Sequence, residues 1–139
     1  ISGPLLDRID IQCEISPVPF KDISKAAPGE PSARIRERVI RAREIQAERF
    51  KDFKGIHCNA QMTERMIHQF AEPTEEGINL LRMAMEKLSL SARAYNRILK
   101  VARTIADLAG SQQVEPQHLA EAIGYRTLDR GDWAERGHF

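Results

Sequence analysis

Leu90-Ser91-Ala92-Arg93-Ala94-Tyr95-Asn96-Arg97-Ile98-Leu99-Lys100-Val101-Ala102-Arg103-Thr104-Ile105-Ala106-Asp107-Leu108-Ala109-Gly110 reads as one amphipathic helix. At about 100° per residue, Tyr95, Ile98, Leu99, Ala102, Ile105, Ala106 and Ala109 gather on one side. Arg93, Arg97, Lys100 and Thr104 fall on the other. Ser91 is placed to cap the start, because its hydroxyl can accept from a free backbone N–H. Gly110 suits the left-handed residue that closes a helix. Such a helix can pack its apolar back into a core and still offer cations to a phosphate.

The rest of the chain sets the context for that helix. With 139 residues it is long enough for one domain with a modest core. A net charge of +1 gives no overall field that marks a nucleic-acid binder, so any basic function must come from local clustering. No apolar run approaches the roughly 20 residues that span a bilayer, and no signal-peptide pattern opens the chain. Cys13 and Cys58 lie far apart without CxxC spacing, which predicts reduced thiols in a cytoplasmic protein. His57 and Cys58 are adjacent, but no second pair follows at zinc spacing, so no metal site is expected. The first residue is Ile1, which suggests a segment of a longer protein.

Ile9-Asp10-Ile11-Gln12-Cys13-Glu14-Ile15 alternates with period two and predicts a strand, ended by Pro17 and Pro19. No second strand is evident to pair with it. Phe20 to Pro31 reads as a loop, with Pro28, Gly29 and Pro31 as breakers. Ser32 then opens a charged helix to about Phe53, with Ile35, Val39, Ala42, Ile45 and Phe50 as a loose apolar stripe. From Ala33 to Lys54 there are eight Lys/Arg and four acids, a local excess that could meet a polyanion. After Gly55, Asn59-Ala60-Gln61-Met62 reads as a short polar connector. Thr63 caps a small helix to about Ala71, and Thr74 with Glu75 and Glu76 begins another, buried through Ile78, Leu81, Met85 and Leu88. Pro116 starts a last helix through Leu119, Ala122 and Ile123. Residues 131–139 are expected to form a disordered tail.

The 139 residues contain no GxxxxGK loop, GxSxG elbow, HExxH or paired acidic motif. The candidates for chemistry are arginines. Arg8 stands just before the expected strand, where a guanidinium could reach a neighbouring phosphate in bidentate fashion or pair with Asp7 or Asp10. Arg93, with Arg97 one turn later, opposes the helix dipole in a first turn, a small cost that a functional site can tolerate. Arg34, Arg36, Arg38, Arg41 and Arg43 form either a solvated face or a nucleic-acid surface.

Two segments carry a resemblance. Ser2-Gly3-Pro4-Leu5-Leu6-Asp7-Arg8-Ile9-Asp10 resembles the entry to the last core strand of AAA+ ATPases in the magnesium-chelatase and MCM-helicase branch. Leu90-Ser91-Ala92-Arg93-Ala94-Tyr95 through Asp107-Leu108-Ala109-Gly110 resembles their sensor-2 helix. Asn59-Ala60-Gln61-Met62 and His118-Leu119-Ala120-Glu121-Ala122-Ile123, with Tyr125-Arg126, narrow the likeness to magnesium-chelatase-like proteins of the ComM (YifB) type.

The resemblance implies a mainly α fold. Residues 1–19 would be the end of the ATPase core, with the arginine-finger segment and one remnant strand. Residues 20–31 would be a linker, and residues 32–130 a helical lid of about five helices. It implies that Arg8 is an arginine finger acting in trans and that Arg93 is the sensor-2 arginine at the γ-phosphate, with Arg97 a weaker candidate. ATP and Mg2+ would serve the full-length parent and not this segment, which lacks the Walker A and Walker B parts and is expected to be inactive alone. The implied partners are the rest of the core, neighbouring subunits of a homo-oligomeric ring, and DNA, remodelled by branch migration in natural transformation. No membrane is implied. A magnesium-chelatase ATPase subunit and a non-enzymatic helical module binding DNA or protein are the alternatives.

Overall fold

A computed structural model describes residues 3–126. The elements are α1 (Gly3–Asp7), α2 (Phe20–Lys25), α3 (Ser32–Arg49), a 3-10 turn (Asn59–Gln61), α4 (Glu64–Phe70), α5 (Glu75–Leu88), α6 (Ala92–Leu108) and α7 (Pro116–Gly124). The expected tail at 131–139 and the end of the lid at 130 lie outside the described residues.

Local chemistry sets the helix starts. Thr63, Thr74 and Ser91 each accept from the backbone N–H three residues on, at 3.3, 3.1 and 3.2 Å. Each satisfies one of the donors that a helix start leaves without a partner. His118 Nδ1 accepts from the Glu115 N–H at 3.0 Å, and Pro116 follows at the first position of α7. At the far end of α6, Gly110 takes φ +72°, and the Ser111 N–H donates to the Ala106 carbonyl at 2.8 Å.

The core forms where α4, α5 and α7 meet α6. Ile98, Leu99, Ala102 and Ala106 of α6 pack with Met66, Ile67, Leu81, Leu119 and Ala122, closed by Val114, Met62 and Phe50. Phe50, Phe53 and Phe70 meet edge to face, with ring centroids 5.7–6.4 Å apart. Pro73 and Val114 make an isolated parallel bridge between the two interhelical connections. No helix of the described residues is long and apolar enough to cross a membrane.

Several expectations are corrected. Ile9–Ile15 is not a strand: among the described residues it has no ladder partner, and Ile11 and Ile15 stand exposed. A single strand cannot bury its face or satisfy its backbone without a neighbour, and the described residues supply none. The segment is held by Gln12 instead. Its N–H donates to the Tyr125 carbonyl at 2.8 Å, and its side-chain amide donates to the Leu6 carbonyl at 3.0 Å. The 20–31 stretch holds the six-residue α2 rather than loop alone, and α3 ends at Arg49, four residues short of Phe53. The stripe on α3 is buried only at Ala42 and Phe50, because the first half of the helix carries Ile35 and Val39 at the surface. Ala109 lies at the exposed end of α6, outside the core.

Candidate phosphate-facing site

The division of α6 into two faces is less clean than its periodicity predicts. Arg103 and Asp107, one turn apart, are buried beside the apolar stripe. Asp107 Oδ1 accepts from Arg49 of α3 at 2.7 Å and lies 3.2 Å from Arg103; Oδ2 accepts from Arg49 at 2.8 Å and from the Asn59 side chain at 2.9 Å. Asn59 also accepts from Arg49 and donates to Thr104, and its backbone N–H donates to Oε1 of the Gln46 side chain at 2.9 Å. Arg103 extends the network by donating to the Phe70, Gln112 and Ser111 carbonyls. Burial pushes the Arg103 guanidinium to a lower pKa, and neighbouring Asp107 works against that shift. These are structural roles, and they explain why the polar connector at Asn59 is buried.

The supposed basic front of α6 is largely occupied. The Lys100 ammonium donates to the Ala60 carbonyl at 3.0 Å, and the Thr104 hydroxyl donates to the Lys100 carbonyl. Arg97 forms an ion pair with Asp10. The cleft beside that pair, about 350 Å³ and lined by Ile11, Val101, Ile105 and Tyr125 among others, therefore has its two cations already engaged.

Arg93 differs. It is exposed in the first turn, and among the described residues its side chain makes no hydrogen bond or ion pair. The same holds for Arg8. The acids that could have paired with Arg8 are committed elsewhere: Asp7 accepts from the Ser91 hydroxyl at 3.1 Å, and Asp10 takes Arg97. These two contacts tie the Arg8 turn to the start of the helix that carries Arg93. Ser91 thus serves both the cap of α6 and the anchor of Asp7.

The structure brings the Arg8 turn to α6, but it does not bring the arginines of α3 there. Arg34, Arg36, Arg41 and Arg43 are exposed on α3, whereas Arg38 is held by Glu30 in a two-point pair. Sequence reasoning missed Arg126. Its side chain is 1% exposed and donates to the carbonyls of Leu6, Asp7 and Ile9. A charged residue directly after the Tyr125 end of α7 gave no periodic signal of burial.

The sequence profile of one family, described as the C-terminal region of the magnesium chelatase subunit ChlI, matches residues 29–126. The chain belongs to this family. It is 44% identical over 131 residues to competence protein ComM of Haemophilus influenzae and 43% identical over 131 residues to YifB of Escherichia coli. An alignment with a protein of Mycobacterium tuberculosis (strain H37Rv) gives 34% identity over 126 residues. The first two alignments cover 94% of this chain and the third 91%, but each covers 25% of the relative. The chain thus spans about a quarter of the length of these curated relatives. Its helical architecture agrees with a C-terminal helical domain of magnesium-chelatase-like AAA+ proteins.

Proposed function

We propose that this chain is the helical lid, with the adjoining arginine-finger turn, of a ring-forming AAA+ ATPase that uses ATP hydrolysis to remodel DNA during natural transformation. The observation that carries the reading is the pair of exposed, unpartnered guanidiniums, Arg8 and Arg93, on two segments joined by the Asp7–Ser91 bond. Both fit a phosphate, since a guanidinium offers a planar fork of donors to its oxygens and neither competes with a bound carboxylate. ATP with Mg2+ is the substrate of the whole ring. In this reading Arg8 stabilises charge developing at a nucleotide held by the neighbouring subunit, and Arg93 senses the γ-phosphate. Arg97 is a weaker contributor, because using it would cost its bond to Asp10.

The test is ATP turnover of a full-length protein carrying this chain. Arg8→Ala is expected to lower kcat by about 1,000-fold, in line with the arginine-finger range. Arg93→Ala is expected to lower it by about 100-fold, the cost of one lost charge-stabilising donor. Unchanged turnover in either variant would remove that residue from the site.

The likeness to competence protein ComM supports a role in competence; in this reading DNA is the partner, and the exposed Arg34 and Arg41 on one side of α3 with Arg36 and Arg43 on the other supply its phosphate contacts. Binding of this chain to duplex DNA should then weaken with salt, with a slope in log K no steeper than about −3.6 for four phosphate contacts. Neutralising the four arginines should abolish it. The family description favours one second reading, an ATPase subunit of a magnesium chelatase. Turnover stimulated by DNA supports the first, and turnover stimulated only by a porphyrin-binding partner supports the second.

A further inference from the structure

We infer that Arg126 is the positioning residue for Arg8, fixing the direction of that guanidinium through the backbone on either side of it. The inference rests on the reading of Arg8 as a phosphate-facing arginine.

Arg8 needs an external support. It follows a five-residue helix, too short to hold its own conformation in water, and precedes a segment that has no sheet to join among the described residues. The local bonds include two turn contacts, Arg8 N–H to the Leu5 carbonyl and Ile9 N–H to the Leu6 carbonyl, both 3.1 Å. Further support comes from across the molecule: the Asp7–Ser91 and Asp10–Arg97 contacts hold side chains beside Arg8, and Arg126 holds its main chain. The Nη2 of Arg126 donates to the carbonyls of Leu6 at 3.2 Å and Asp7 at 3.3 Å, and its Nη1 donates to that of Ile9. Two of those carbonyls belong to the residues flanking Arg8. The planar guanidinium therefore sets the orientation of the Asp7–Arg8 peptide and of the Ile9–Asp10 peptide one residue on, and its positive charge strengthens each bond. Gln12 adds a third-side tie, to the Leu6 and Tyr125 carbonyls. Since all these acceptors are main-chain atoms, the clamp sets geometry and leaves the side chain of Arg8 free to project.

The experiment has two arms. In this chain, amide hydrogen exchange is read in Arg126→Gln and in Arg126→Lys. The lysine keeps the charge, but its single nitrogen cannot span the three carbonyls, so it remains informative even where the glutamine variant fails to fold. Exchange at Arg8, Ile9 and Gln12 is expected to accelerate about tenfold or more, with α6 amides unchanged, as for a local opening. No acceleration, or equal acceleration throughout α6, would overturn the positioning role. In a full-length protein carrying this chain, Arg126→Lys is expected to lower kcat by up to about 100-fold with KM for ATP unchanged, the cost of a misplaced catalytic group. The double variant with Arg8→Ala should be no slower than Arg8→Ala alone, because both changes remove one interaction. Additive losses would overturn the proposal. An Arg8→Ala variant with normal turnover would instead overturn the reading of Arg8, a result distinct from any exchange outcome.

Discussion

Asp107 shows how much a single buried carboxylate can organise. Its side chain is fully buried, its two oxygens serve Arg49, Asn59 and Arg103, and it joins α3, the 3-10 turn and α6. Removing one partner of such a network leaves the others charged and desolvated. Asp107→Ala is therefore expected to cost about 3–5 kcal/mol, measured by urea unfolding. Glu30 is the contrasting case. It is at the surface, and its hydrogen bond from Arg38 holds its carboxyl below the ordinary glutamate range. A folded pKa lowered in this way makes a contribution that is present above the unfolded value and lost as pH falls through the folded one. Arg38→Ala should return the Glu30 titration to the ordinary range in a carbon-detected NMR titration. An unmoved titration would exclude the pair as the cause. Neither Arg49 and Asn59 as partners of Asp107 nor the Arg126 acceptors were legible in the sequence, since they lie 48 to 120 residues away and obey no local period. The one available signal was the Arg103–Asp107 spacing, an i,i+4 charged pair close to the apolar stripe of α6.

At the scale of elements, caps and breakers carried most of the prediction. Thr63, Thr74, Ser91 and Pro116 mark the helix starts in the sequence and occupy those positions in the structure. The failures came where an element depends on a neighbour. Among the described residues, the alternating run at Ile9–Ile15 has the right period but no partner strand, and the stripe on α3 lacks a surface to cover its first half. Two glycines separate conformational from steric control. Gly110 has φ +72° and open space around its missing Cβ, so Gly110→Ala should cost about 1–2 kcal/mol through backbone strain alone. A Cβ at Gly77, in contrast, would meet Leu119 Cδ1 at 2.7 Å and the Pro73 ring at 3.2 Å. Gly77→Ala should cost about 1–3 kcal/mol by forcing α5 from α7. Thermal unfolding of the two variants checks both values, and a neutral Gly77→Ala would show that Leu119 can move aside.

Across the whole molecule, stability is concentrated between α3 and α7. Residues 13–31 are exposed throughout, and α2 buries no side chain. A segment with so few packed contacts opens without disturbing the core. Among the described residues, trypsin is therefore expected to cut first at Lys21 and Lys25, leaving residues 32–126 folded, as read by mass spectrometry over a digestion time course. First cuts within α6 would contradict this division. The sequence by itself determined the helical class, the helix starts, the apolar back of α6 and the nomination of Arg8 and Arg93, because capping, periodicity and local motifs act over a few residues. Only the tertiary structure decided which charges remain available. It committed Arg97 to Asp10, Arg38 to Glu30 and Arg103 to the interior, and it placed Arg126 behind the Arg8 turn. A charge is spent or kept according to what folding places beside it, and those neighbours come from distant parts of the chain.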